Sequence, residues 1–112
     1  MKKTKLGELE ELVLLTVAAL QHDAYGVEIK RELESRLKDT LSVGSIQSAL
    51  KRMEDKGFLT SQFGEPTQKR GGKRKRIYAT TSLGRKVLEE MKEIRASLWR
   101  VIPDLAPSLK VV

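Results

Sequence analysis

Cysteine is absent from the 112 residues. This excludes a disulfide framework, a thiolate metal site and a cysteine nucleophile. A chain without cysteine is compatible with the reducing cytoplasm, which is the expected location.

Histidine is nearly absent too, because His22 is the only one. His22-Asp23 follows an apolar helical pattern, where a helix end and turn are more typical than a catalytic pair, since general acid–base catalysis needs a pocket and partners. No His, Asp or Glu set has the spacing of metal ligands. Gly71-Gly72 precede a strand-like segment, which is not the arrangement of a nucleotide-binding loop. We therefore predict a protein that is not an enzyme and that needs no cofactor.

Long hydrophobic runs are also missing. The most apolar segment, residues 12–20, is less than half of the roughly 20 residues that a membrane-spanning helix needs. It is expected to be a helix buried on more than one side, and no membrane partner is expected.

Positive charge is concentrated in one short segment. The chain has a net charge of +7, and residues 69–76, KRGGKRKR, supply six positive charges, which leaves only +1 for the rest. A polyphosphate backbone is the commonest target of such a segment, because neutralised phosphates release counterions. The alternative for this segment alone is a solvated charge run without a specific partner.

Hydrophobic periodicity predicts four helices. The first covers about residues 7–21, and the second covers about 24–37, with Asp23 as its cap. The third begins after Ser42 and ends at Gly57. The fourth begins at Thr81 or Ser82 and ends near residue 102, before Pro103.

The third helix has a polar face that suits the DNA major groove. Spacings of three and four predict an apolar face in the core, formed by Val43, Ile46, Leu50 and Met53. The opposite face is small and polar at its start and basic in its middle, as expected of a helix that reads base edges. The alternative is an ordinary amphipathic surface helix. The candidate DNA-binding residues of this helix are Ser45, Gln47, Ser48, Lys51 and Arg52.

After Phe58 the apolar period changes to two. Residues 58–63 and 75–81 read as two strands of a hairpin, and the long loop between them carries the basic segment. The predicted fold class is therefore mainly α with a small β-hairpin.

The fourth helix carries an apolar seam with alternating spacings of four and three, which is typical of helices that pack against a copy of themselves. At 1.5 Å per residue the helix is about 30 Å long, more than one small domain covers. Folding back onto its own domain is the alternative. The candidate dimer residues are Val87, Met91, Ile94, Leu98 and Val101.

The order helix, helix, short extended piece, helix, basic hairpin resembles a winged helix–turn–helix, and the motifs resemble those of the PadR family of bacterial transcriptional regulators. The most specific are the Leu-Ser-x-Gly helix start running into ALKRMEDKG, the tip RGGKRK and Tyr78-x-x-Thr81-x-x-Gly84. The resemblance covers about residues 6–100.

The resemblance implies a homodimeric DNA-binding repressor. Its parts would be a winged-helix domain at 1–81, a dimerisation helix at 82–102 and an irregular tail at 103–112. Many relatives have Tyr-Pro where this chain has Gln47-Ser48, so sequence preference does not transfer; Gln is a usual partner of adenine. The wing contacts to DNA that it implies would come from Lys69, Arg70, Lys73, Arg74 and Lys75.

Some relatives bind small apolar effectors near the dimer interface, and Trp99 is the candidate for such a role here, although a single Trp on a dimer helix is also typical of packing. Two other functions compete with sequence-specific DNA binding. One is non-specific or RNA binding through the basic segment. Proteins that read single strands favour exposed aromatic residues, and only 4% of this chain is aromatic, which argues against this function. The other is protein–protein contact with an acidic partner.

Overall fold

The computed structural model describes residues 6–64 and 75–103. The predicted basic tip, with Lys69, Arg70, Lys73 and Arg74, and all of the predicted tail except Pro103 lie outside these residues. The described elements are, in order, α1 (Glu8–Leu20), a short 3-10 turn (Gln21–Asp23), α2 (Gly26–Leu37), α3 (Val43–Asp55), β1 (Leu59–Phe63), β2 (Arg76–Thr80) and α4 (Ser82–Val101).

Helix α1 is the centre of the core, as its apolar sequence predicts. Val13, Leu14 and Val17 are fully buried, and α1 packs against α2, α3, β2 and α4. The other buried apolar side chains of this core are Leu6, Ala24, Ile29, Leu33, Ile46, Ala49, Leu50, Met53, Phe58, Leu59, Tyr78 and Val87.

The start of α2 differs from the prediction. Asp23 does not cap this helix, because residues 21–23 form the 3-10 turn and the cap position falls on Tyr25, which makes no side-chain capping bond. The helix therefore begins at Gly26 and not at residue 24.

The turn between α2 and α3 is fixed by hydrogen bonds. Lys38 ends α2 in the left-handed conformation, with φ of 57°. The Glu34 carboxylate accepts a hydrogen bond from the N–H of Leu41 at 2.7 Å, and this bond, with one from Lys30, lowers the pKa of Glu34. Ser42 then caps α3, as predicted, by accepting from the N–H of Ser45 at 3.0 Å.

One prediction about the core is wrong. Ile46, Leu50 and Met53 are buried, but the Val43 side chain is 61% exposed. Val43 is the first residue of α3, and at that point the helix has not yet reached the core.

The two strands form the predicted antiparallel hairpin, in a register that runs from Leu59 opposite Thr80 to Phe63 opposite Arg76. β2 also touches the segment before α2, because the N–H of Tyr78 donates to the carbonyl of Ala24 at 2.9 Å and Tyr25 forms a bridge with Ile77. The hairpin is thereby attached to the start of α2.

The motif Tyr78-x-x-Thr81-x-x-Gly84 joins the hairpin to α4. The Thr81 hydroxyl accepts from the N–H of Gly84 at 3.0 Å, which caps α4, and donates to the carbonyl of Gly57 at 2.6 Å. Gly84 is buried against the backbone of Phe58. The first turn of α4 is thus bound to the segment that follows α3.

Candidate nucleic-acid interface

The outer face of α3 has the character that the sequence predicts. Ser45, Gln47, Ser48 and Lys51 are exposed, and the first turn contains no acidic residue. Lys51 lies 3.7 Å from Asp55, one turn further on, but both side chains are more than 60% exposed. Such a pair is weak in water, so the Lys51 ammonium is free to meet a phosphate or a base edge.

Arg52 differs from the other four candidates, because its side chain makes a close ion pair with a carboxylate on another helix. Its Nε donates to Oε2 of Glu10 on α1 at 2.6 Å, and the Lys56 ammonium lies 3.2 Å from Oε1 of the same carboxylate. Half of the Arg52 side chain remains exposed. Its charge is nevertheless balanced by Glu10, which makes Arg52 first of all a link between α3 and α1.

Glu10 is a partner of candidate residue Arg52 that the sequence analysis missed. Burial raises its pKa, but hydrogen bonds from Arg52, from the N–H of Gly7 and from Lys56 outweigh this effect and lower the pKa from 4.5 to about 2. The carboxylate is therefore ionised at neutral pH, and its ion pairs with Arg52 and Lys56 join α1 to α3 and to the residue that follows it. The available signal was its place three residues after the cap of α1, where a Glu typically bonds back to the helix start.

A cleft of about 260 Å³ separates the outer face of α3 from the base of the hairpin. Gln47 borders it together with the start of α2, and a Cβ atom added to Gly26 would lie only 2.9 Å from the Gln47 amide nitrogen. The residues that line the cleft are Tyr25, Gly26, Val27, Gln47, Lys75, Arg76 and Tyr78.

Two cations at the base of the hairpin are held by aromatic rings. The Lys75 ammonium lies 4.5 Å from the centre of the Tyr25 ring, and the Arg76 guanidinium lies 4.5 Å from that of Phe63. Arg76 also donates to the hydroxyl of Ser61 at 2.8 Å. Of the predicted wing contacts, only Lys75 lies within the described residues. Arg76 lies next to it on the same cleft and was not among the candidates.

The predicted seam of α4 divides into two parts. Val87 is buried in the core of its own chain, and Met91 is half-buried against the same core. Ile94, Leu98 and Val101 are 48%, 59% and 75% exposed, and Trp99 is 65% exposed. The apolar surface that is available to a partner therefore begins at about Ile94.

A groove of about 680 Å³ runs between α1 and α4. Leu15 and Ala18 line it from α1, and Leu88, Ala96 and Trp99 line it from α4. Across the groove, Arg95 makes a two-pronged ion pair with Glu11, with distances of 2.5 and 3.2 Å. This ion pair joins α4 to α1.

Neither a metal site nor a membrane span is found in the part of the chain that the structure describes. Among residues 6–64 and 75–103, no three His, Cys, Asp or Glu side chains are placed to hold a metal ion. No helix in these ranges combines the length and the hydropathy that crossing a bilayer requires.

Two helices joined by a tight turn, followed by a β-hairpin on the same side, define a winged helix–turn–helix protein. The chain belongs to the PadR-like family of transcriptional regulators, because the model of that family matches residues 14–90. This confirms the family and the fold class that the sequence motifs predict.

Solved structures agree with this assignment. A PadR family transcription regulator from Clostridium difficile R20291 is 31% identical, with a TM-score of 0.67, over 85% of this chain and 94% of that one. A PadR-like transcriptional regulator from Bacillus cereus has a TM-score of 0.70 at 24% identity, over 88% and 90% of the two chains, and supports the fold. A comparison with curated proteins finds no match. Family and fold together place the chain among DNA-binding transcriptional regulators, a class whose members are generally not enzymes.

Proposed function

We propose that the chain is a homodimeric repressor that binds a pseudo-palindromic operator, with one α3 helix in the major groove of each half-site. The observation that carries the proposal is the outer face of α3. Its N-terminal half presents small polar side chains without an acidic group, and Lys51 follows one turn after Gln47. A recognition helix contacts base edges with this end.

The hairpin supports the proposal as a wing. Lys75 and Arg76 stand at its base, beside the cleft that separates it from α3. We propose that the basic segment beyond Lys75, with Lys69, Arg70, Lys73 and Arg74, neutralises phosphates or enters the minor groove. Such contacts provide affinity and fix the register, whereas α3 provides sequence preference.

We propose that residues 82–102 form the dimerisation helix. Its support is the exposed apolar surface of Ile94, Leu98 and Val101, since an apolar stripe that projects from a small domain is most simply covered by a second copy. Two-fold symmetry of the protein would then require two-fold symmetry of the operator.

Repression and effector binding are the finer parts of the proposal. Repression rests on the resemblance to PadR repressors, and a reporter gene placed behind the operator tests it. An apolar effector is supported by the lining of the groove between α1 and α4. Trp99 is the only tryptophan, so its fluorescence reports directly on a ligand in that groove.

The experiment that tests the proposed function is selection of bound duplexes from a randomised pool by the purified protein. We expect one family of sites with two inverted half-sites to be enriched and to resist competition by excess random duplex. A non-specific nucleic-acid binder would enrich no site, and a protein-interaction module would retain no duplex.

A further inference from the structure

Val43 is an exposed apolar side chain in the first turn of α3, at the edge of the polar outer face of this helix. The other large apolar side chains of α3, namely Ile46, Leu50 and Met53, are at most 1% exposed, whereas Val43 is 61% exposed. The fold does not use it, since it is absent from the core cluster.

Its position is where a recognition helix meets base edges. Val43 directly follows the cap Ser42 and lies one helical turn before Gln47, so the two side chains share one side of α3. The residues around it are small. A Cβ atom added to Gly44 would have no atom within 4 Å, and Ser45 is exposed. A base pair can therefore approach Val43 closely without meeting a larger side chain of its own turn.

The chemistry of Val selects one kind of contact. Valine has no hydrogen-bonding group in its side chain, and in a helix its branched Cβ leaves one strongly preferred rotamer, so its methyl groups have a fixed direction. The major groove displays one apolar group, the C5 methyl of thymine. We propose that Val43 contacts a thymine methyl and specifies thymine at one position of each half-site.

This inference rests on the proposed function. The size of the expected change in affinity follows from the burial of a methyl group. Burial of one methyl group is worth a factor of about four in affinity, so loss of one thymine methyl should weaken binding about fourfold. Loss from both half-sites of a symmetric operator should weaken it about fifteenfold, because the two factors multiply.

Deoxyuridine tests the contact, since it differs from thymidine only by the missing C5 methyl. In the selected operator, each thymine is replaced in turn by deoxyuridine, and the Kd is measured for the unmodified protein and for Val43→Ala. We expect one thymine per half-site at which replacement by deoxyuridine weakens the affinity of the unmodified protein about fourfold. The same replacement should leave the affinity of Val43→Ala unchanged.

Two variants serve as controls. Val43→Ile retains a branched apolar side chain and should retain sensitivity to the methyl group. Leu83→Ala shortens an exposed apolar side chain on α4 that lies beside Gly57, at the opposite end of α3 from Val43, and should behave like the unmodified protein.

Each remaining result overturns the inference. If Val43→Ala stays as sensitive as the unmodified protein at every thymine, or if no thymine methyl matters to the unmodified protein, Val43 does not read thymine, while the proposed function stands. A selection that enriches no site contradicts the proposed function and this inference together.

Discussion

Gly84 lies where the first turn of α4 crosses the backbone of Phe58. A Cβ atom at this position would stand 2.2 Å from the Phe58 carbonyl oxygen, and backbone atoms cannot move away as a flexible side chain would. The glycine in the motif Tyr78-x-x-Thr81-x-x-Gly84 therefore has a packing cause.

We predict that Gly84→Ala destabilises the fold by about 1–3 kcal/mol, the usual cost of overpacking a filled core. Gly44→Ala is the matched control, because the added methyl group at Gly44 meets no atom within 4 Å. That variant should gain up to about 1 kcal/mol from helix propensity. Urea denaturation measures both changes, and equal stability of the two variants would contradict the packing argument.

Glu10 is the second residue with a measurable individual role. Its pKa is lowered from 4.5 to about 2, so its ion pairs stabilise the fold fully above pH 4.5. This stability is lost as the pH falls from about 4.5 to about 2. The reason is that the unfolded chain takes up the proton near pH 4.5, whereas the folded protein takes it up only near pH 2.

We predict that Glu10→Gln costs about 1–3 kcal/mol at pH 7, and that the difference from the unmodified protein shrinks toward zero near pH 2. The exposed pair Glu32–Arg36 supplies the control, and Glu32→Gln should cost about 0.5 kcal/mol or less. Chemical denaturation at several pH values measures both. A Glu10→Gln cost that is independent of pH would show that the ion pairs do not stabilise α3.

At the scale of elements, the wing is the part that should respond most to salt. If each subunit neutralises three or four phosphates, a dimer has a log–log salt slope of roughly −5 to −7. We predict that Ala at Lys69, Arg70, Lys73 and Arg74 weakens binding to all duplexes and flattens the slope by about 0.9 for each lost phosphate contact.

The control for the wing variant replaces an equal number of lysines and arginines on α4 by Ala. The four residues replaced are exposed and are Arg85, Lys86, Lys92 and Arg100. This control should keep the salt slope of the unmodified protein on the same duplexes. A wing variant whose salt slope is unchanged would mean that the segment is only a solvated charge run.

The elements themselves were largely predictable from local sequence. Ser42 and Thr81 cap α3 and α4 as expected, and the hairpin forms where the apolar period changes to two. These signals act within a few residues, so the sequence displays them directly. Family membership, in turn, was predictable from motifs that span most of the chain.

The failures concern features that only the tertiary structure decides. The partner of Arg52 is Glu10, which lies 42 residues away, and no local pattern indicates that pairing. Val43 has the right spacing for the core, but the helix reaches the core only after its first turn. Asp23 is a suitable cap by type, yet the 3-10 turn moves the start of α2 beyond it.

For the whole molecule, the exposed apolar end of α4 bears on assembly. We predict a homodimer whose mass in light scattering is twice the 12.6 kDa of one chain. Ile94→Glu with Leu98→Glu should give folded monomers, because two charges would otherwise be buried between α4 helices. These two positions are better probes than Met91, which packs on the core of its own chain.

Arg100→Glu is the control for charge, since Arg100 is exposed on another side of α4. It should leave the dimer intact. A monomeric unmodified protein at high micromolar concentration would contradict the dimer.

The central claim is that α3 reads DNA sequence, and the ratio of affinities for the selected and random duplexes tests it most directly. Lys51→Ala and Lys86→Ala each remove one exposed lysine from a helix, the first from α3 and the second from α4. The account predicts that Lys51→Ala lowers this ratio by a factor equivalent to about 1–3 kcal/mol of discrimination free energy. Lys86→Ala should leave the ratio unchanged. Equal losses on both duplexes for Lys51→Ala, or the same ratio for both variants, would contradict the claim.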